Sequence, residues 1–330
     1  METNSDMKKN KEQFLGLDCG GTNIKIALVD SEGEILKSAI EPISYKQSPQ
    51  KVLKNITSCV QHFMDKNCTS KIKGLGIGVA AEVDQKNGII LNATNLGWRN
   101  VPIADFFTKE LGIPINVEND SHCAAWGSYC LDAKKKCSTL ICLTLGTGVG
   151  GGIIIGGKLY RGPNGLAGYI GHMSISYSGR VCRCGSIGCL ESMVGAWALS
   201  QTVKERCSKN SFPILRKLLR IDKQFKITPE LIAEAAINGD CDCQKLWNET
   251  GKYLGIALGS LANIFNPEKI ILCGGISKAG VLFLKPMLDT FKKQVFKTIF
   301  QYTEVSISKY TDKIGVVGAA LLFMDVIYER

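Results

Sequence analysis

Hydrophobic and polar positions alternate in short runs at the start of the chain. Residues 14–18 (FLGLD), 24–29 (IKIALV) and 34–40 (EILKSAI) are β-branched and apolar stretches. Gly20-Gly21 and Ser31-Glu32-Gly33 separate them, which predicts a β-meander. Helical spacing follows, with Ser48-Pro49 as the start and Val52, Leu53, Ile56, Val60, Phe63 and Met64 on one face. Residues 71–79 read as a buried strand, 102–111 as a helix ended by Gly112, and 115–118 as a short strand. That strand runs into Asn119-Asp120, a cap pair for a helix through Tyr129. The opening pattern then returns as residues 139–145 (TLICLTL), a glycine-rich turn, and residues 153–160 (IIIGGKLY). Two strand–glycine turn–strand units predict an internal duplication. The remainder reads as helices at 192–207, 228–238 and 242–265, a strand at 269–272 and a closing helix at 315–328.

Composition narrows the classes of function. A hydrophobic share of 45% against 21% charged residues excludes a disordered chain, and 330 residues suggest about two domains. Residues 1–13 are polar and lead into no apolar run of the secretory kind, so they read as a disordered tail. No stretch reaches the roughly 18 apolar residues that cross a membrane. The expectation is a cytoplasmic protein with reduced cysteines and no membrane partner. The net charge of +10 comes from scattered lysines, with only short runs at Lys8-Lys9 and Lys134-Lys135-Lys136, which does not mark a nucleic-acid partner.

Chemistry concentrates in three glycine turns and one cysteine loop. In Asp18-Cys19-Gly20-Gly21-Thr22-Asn23, glycines let backbone N–H groups approach an anion, Thr22 adds a donor, and Asp18 suits Mg²⁺. Taken alone, this turn is equally an ordinary hairpin. Residues 146–171 hold 11 of the 35 glycines, and Gly146-Thr147-Gly148 opens a turn that is neither a P-loop nor a dinucleotide fingerprint. Two such turns facing each other would clamp a polyphosphate, and Gly274-Gly275 would leave room for a nucleoside. His172, Cys182, Cys184 and Cys189 form a Cys₃His set with the spacing of a structural zinc site. The other eleven of the 14 cysteines read as packing residues, and His62 and His122 as surface or helix-face histidines.

Five segments together resemble the ROK family of sugar kinases and related repressors, in the actin-like, ribonuclease-H-like ATPase superfamily. They are LDCGGTNIKIALVD, VENDSHCAA, LTLGTGVGGGIIIGGKLYRG, GYIGHMSI with CRCGSIGCLE, and KIILCGGIS, spread from about residue 14 to the C-terminus. The resemblance implies a two-lobed α/β fold with a central cleft and a zinc-binding loop. The small lobe would be residues 14–118 plus 315–330, and the large lobe residues 119–314. It implies Asp120 as the base acting on a sugar 6-hydroxyl, with Asn119, Tyr169, His172 and Glu191 beside the sugar. Asp18, Gly20, Gly21, Thr22 and Asn23 would meet Mg²⁺ and the phosphates of ATP, with Gly146, Thr147 and Gly148 opposite and Gly274 and Gly275 toward the nucleoside. His172, Cys182, Cys184 and Cys189 would hold zinc, and the protein would be a homodimer.

Two departures fall on the sugar side. The family's Gly-Glu-Ile-Gly-His has Tyr169 in place of the glutamate, and its Pro-Gly after the third strand is Ala80-Ala81. A phenol cannot accept two charge-assisted bonds as a carboxylate does. Glucose stands first as substrate, followed by N-acetylmannosamine, N-acetylglucosamine, allose or fructose. A sugar-responsive regulator would carry a DNA-binding module ahead of the core, where this chain has about 13 residues. A sugar-binding protein without catalysis is the remaining reading.

Overall fold

A computed structural model describes residues 12–208, 210–221 and 226–328. Residues 1–11 of the expected tail lie outside the described residues, and Gln13 already opens the first strand. The first half contains β1 (Gln13–Cys19), β2 (Asn23–Asp30), β3 (Ile35–Pro42), α1 (Pro49–Asn67) and β4 (Leu75–Val79). It continues with β5 (Glu82–Asp84), β6 (Ile89–Ala93), β7 (Trp98–Val101), α2 (Ile103–Leu111), β8 (Ile115–Asn119) and α3 (Asp120–Leu131). The second half opens with β9 (Leu140–Leu145), β10 (Val149–Ile155), β11 (Lys158–Leu159), α4 (Leu190–Val194) and α5 (Ala196–Arg206). There follow α6 (Pro213–Ile221), α7 (Pro229–Ile237), α8 (Cys241–Phe265), β12 (Lys269–Cys273), α9 (Gly280–Gln294), α10 (Lys297–Tyr302), β13 (Glu304–Ile307) and α11 (Ile314–Tyr328).

The duplication is present in the sheets. One has strand order β3-β2-β1-β4-β8 and the other β11-β10-β9-β12-β13. Each is an antiparallel meander of three strands continued by two parallel strands. This is a two-lobed, actin-like α/β fold. The outer face of the first sheet packs on α1, α2 and the small β5-β6-β7 sheet, and that of the second packs on α7, α8 and α9. Between the two sheets lie α3 and α11.

The two-residue period of a strand sorts side chains between these layers. In β1, Leu15, Leu17 and Cys19 join the outer core, while Phe14 meets Phe323 of α11. Gly16 and Asp18 share that inner face. In β9, Ile141, Leu143 and Leu145 point outward, and Leu140 and Cys142 join the central core. Close approach of the central helices demands residues without side chains. A Cβ on Gly76 of β4 would lie 1.9 Å from the Ala319 carbonyl of α11, and one on Gly150 of β10 would lie 1.9 Å from Ser121 Oγ of α3. Much of the glycine density in residues 146–171 therefore serves helix–sheet packing, and the turn itself is only residues 146–148.

Three segments differ from the sequence reading. The strand expected over 71–79 begins at Leu75, because residues 71–74 connect to it as irregular chain. The helix expected over 192–207 is broken at Gly195, where ψ is 154° and Ala196 N donates to Gly146 O at 3.0 Å. The chain has turned there to brace the second glycine turn. The small sheet at residues 82–101 was not foreseen, since its strands are three to five residues long.

Candidate active site

The C-terminal ends of the inner-facing strands converge on the start of α3. Asp18 is in register with Gly78 of β4, and Gly78 with Glu118 of β8, two residues before Asp120. From the other sheet, Thr144 Oγ1 of β9 lies 3.1 Å from Ser121 Oγ. Asp120 Oδ1 accepts from Ser121 N at 2.8 Å and from Ser121 Oγ at 3.2 Å. A helix N-terminus favours the ionised form, yet burial outweighs these bonds and moves the Asp120 carboxyl above its ordinary range. Burial likewise pushes Asp18 up to about 6; Lys25 Nζ, 3.8 Å away, pulls it down, and the charge of Asp120 adds to the rise. The two carboxyls thus lie within each other's field at the meeting of the sheets.

The glycine turns flank this pair. Gly21, Thr22 and Asn23 are exposed, Gly20 is half-buried, and no atom of the protein would obstruct a Cβ on Gly21 or Gly146. Thr147 is exposed beside Gly146. Gly148 differs, because its α-carbon faces Glu191, whose Oε2 a Cβ would approach to 2.2 Å. Glu191 Oε2 accepts from Val149 N at 3.0 Å and Oε1 from Trp197 Nε1 at 3.2 Å, so this carboxylate braces the second turn. Gly274 and Gly275 follow β12, with Gly275 exposed. Cys19 is buried, as packing requires.

Asn119 is the cap of α3: its Oδ1 accepts from Ser121 N and His122 N, and its Nδ2 donates to Ala81 O at 3.1 Å. The Tyr169 hydroxyl stands 3.5 Å from the same carbonyl. Its phenol is pushed up to about 12 by burial, then by Glu82, Asp120 and Glu118, so it is neutral at pH 7. The ring stacks on His172 with centroids 6.4 Å apart. Asn119, Asp120 and Tyr169 are thereby brought together, with His172 behind Tyr169.

His172, Cys182, Cys184 and Cys189 form the metal-type cluster found among the described residues, with ligand atoms all within 4.8 Å of one another. Cys182 Sγ is 3.8 Å from His172 Nδ1, and Cys184 Sγ is 3.7 Å from Cys189 Sγ. A tetrahedral metal with bonds of about 2.3 Å to sulfur sets its sulfurs about 3.8 Å apart, so the donor set and spacing fit zinc. The loop closes through Cys182 N donating to Ser186 O at 2.7 Å and Gly185 N to Cys182 O at 3.0 Å.

Two sequence expectations need correction. His122 is not a surface or helix-face residue; it is 1% exposed, covered by the loop after β11. Of the eleven cysteines read as packing residues, Cys207 and Cys241 are exposed, because both flank helix ends on the surface. All 14 are free thiols. No helix among the described residues is long and apolar enough to cross a membrane.

Comparison with known proteins places this geometry in context. The family model described as ROK family matches residues 14–326. A glucokinase of Halalkalibacterium halodurans is 33% identical over 312 residues, covering 94% of this chain and 94% of the relative. A xylose repressor of Caldicellulosiruptor bescii is 30% identical over 324 residues, covering 97% of this chain and 80% of the repressor. Among solved structures, the ROK family glucokinase of Streptomyces griseus in complex with glucose and AMPPNP has a TM-score of 0.82 at 34% identity, covering 94% of this chain and 98% of that one.

The raised Asp18 carboxyl carries a stability signature. A group that titrates at about 6 when folded and near 3.8 when unfolded binds its proton more tightly in the folded state. Its contribution is therefore present at acid pH and lost as pH rises from about 4 to about 6, by up to about 3 kcal/mol. Urea unfolding in chelator should show Asp18→Asn gaining stability relative to wild type across that window. Parallel profiles for the two proteins would contradict the burial of this carboxyl.

Proposed function

The chain belongs to the ROK family, and from that membership we infer that it transfers the γ-phosphoryl group of ATP to a hexose. The observation that carries the reading is the pair Asp18 and Asp120, set in mutual electrostatic contact where two glycine turns meet. Likeness to a glucokinase complexed with glucose and AMPPNP supports it. In this reading the sugar lies against Asn119, Tyr169, His172 and Glu191, and ATP against Gly20, Gly21, Thr22, Asn23, Gly146, Thr147 and Gly148, with its nucleoside toward Gly274 and Gly275.

Asp120 accepts the proton of the sugar 6-hydroxyl as that oxygen bonds to the γ-phosphorus, and the bond to the β-phosphate oxygen breaks to release ADP. Its Oδ1 is engaged by Ser121, which leaves Oδ2 to meet the hydroxyl. Burial raises the basicity of this carboxylate, which suits proton abstraction more than a freely solvated aspartate would. Asp18 would hold Mg²⁺, which when bound offsets phosphate charge. Closure of the lobes would exclude water from the transfer. Zinc on His172, Cys182, Cys184 and Cys189 would be structural, since four protein ligands leave no open position. It would fix His172 behind the Tyr169 ring.

Glucose remains the leading substrate. Tyr169 gives the sugar wall a neutral ring, which favours N-acetylmannosamine, N-acetylglucosamine, allose or fructose as the next candidates. A homodimer in the cytoplasm belongs to the same reading. Likeness to a xylose repressor supports one alternative, a sugar sensor without turnover.

A coupled ADP-release assay over these hexoses with Mg²⁺ separates the two. The kinase reading expects turnover of at least one sugar, and Asp120→Asn should lower kcat by about 10²–10⁴-fold with the fold retained. Sugar binding without ADP release by the wild type would favour the sensor. Metal analysis should find one zinc per chain, lost in Cys184→Ser together with sugar affinity. A zinc-free wild type would remove the structural role given to the loop.

A further inference from the structure

Three buried or half-buried side chains next to α3 take no part in the proposed transfer: Glu118, His122 and Arg161. Glu118 Oε1 accepts from Asn119 N at 3.0 Å and faces His122 Nδ1 at 3.0 Å, and its Oε2 accepts from Arg161 Nε at 2.7 Å. The second ring nitrogen, His122 Nε2, lies 2.8 Å from Ala167 O. His122 and Arg161 hold the Glu118 carboxyl below its ordinary range despite burial that opposes ionisation. A carboxylate and a backbone carbonyl only accept, so each nitrogen of the His122 ring donates.

These bonds grip one loop from both ends. Ala167 N donates to Arg161 O at 2.9 Å, which closes residues 161–167 on themselves. The Arg161 side chain fastens one end to Glu118, and His122 fastens the other through the Ala167 carbonyl. Gly168, at φ +88°, follows directly, and a Cβ there would lie 3.2 Å from His122 Nε2. The next residue is Tyr169. Through the ring of His122, the first turn of α3 is therefore joined to the segment that delivers Tyr169.

We propose that His122 is a positioning residue: it clasps the loop 161–168 to the start of α3 and so sets Tyr169 relative to Asn119 and Asp120 on the sugar side of the site. The proposal rests on the reading that this site takes a sugar. Deleting both ring donors leaves Glu118 and Ala167 O short of a partner, which frees the loop without touching the phosphate turns.

His122→Phe keeps the ring and its burial but removes both bonds; His122→Gln keeps one donor. Titration calorimetry with glucose and N-acetylmannosamine should show sugar affinity weakened about tenfold in His122→Phe and less in His122→Gln. AMPPNP affinity and zinc content should stay within twofold of wild type. Unchanged sugar affinity, or parallel loss of sugar and nucleotide affinity, would overturn the positioning role. Limited trypsinolysis tests the clasp without any ligand: cleavage after Arg161, relative to other sites in the same chain, should accelerate at least tenfold in His122→Phe. Equal relative rates would overturn the clasp itself. Absence of sugar binding by the wild type would instead sink the sugar-site reading, with the cleavage result still deciding the clasp. If His122→Phe fails to fold, the same two measurements on His122→Gln decide it.

Discussion

How closely α3 can approach both sheets is the constraint on which the rest depends. The helix carries Asp120 at its first position, and it touches the second sheet where Gly150 leaves room for Ser121. Its partner α11 lies on the first sheet over Gly16 and Gly76, where carbonyl oxygens of the helix occupy the places that Cβ atoms would take. Packing at that range is what allows Asp18, Thr144 and Asp120, from three different elements, to meet. A larger residue at any of these glycines would move a carboxyl along with the helix.

The same closeness sets the electrostatics. Helix capping and Ser121 favour an ionised Asp120, while burial opposes it, and burial prevails. Asp18 is raised by burial and by Asp120 against the pull of Lys25. Stability is therefore lost as this site ionises, and an ion or phosphate donor that needs Asp18 charged would find it so above about pH 6. Glu118 shows the opposite balance: it is equally buried, but two cationic side chains and a backbone N–H keep it ionised. Two carboxyls two residues apart are thus tuned in opposite directions by their partners.

Much of this was legible in the chain. The repeated strand–glycine turn–strand units predicted the paired sheets, and Asn119-Asp120 predicted the start of α3, because both signals are local. The Cys₃His loop was legible because its ligands are close in sequence. What was not legible depends on distant neighbours. His122 reads as a helix-face residue until the Arg161–Ala167 loop covers it, although its spacing from Glu118, four residues, was a signal for a pair on one helical face. The break at Gly195 exists because Gly146 O, far along the chain, accepts the hydrogen of Ala196 N. The glycines after residue 148 suggested a longer phosphate turn, and only the packing of α3 explains them.

The central claim is that the two sheets deliver one phosphoryl-transfer site at the N-terminus of α3. A crystal structure with the preferred hexose, AMPPNP and Mg²⁺ tests it most directly. The account predicts the sugar 6-oxygen within hydrogen-bond distance of Asp120 Oδ2, and the γ-phosphate between the turns at Gly20–Thr22 and Gly146–Gly148. A nucleotide bound elsewhere, or a 6-oxygen turned away from Asp120, would contradict it.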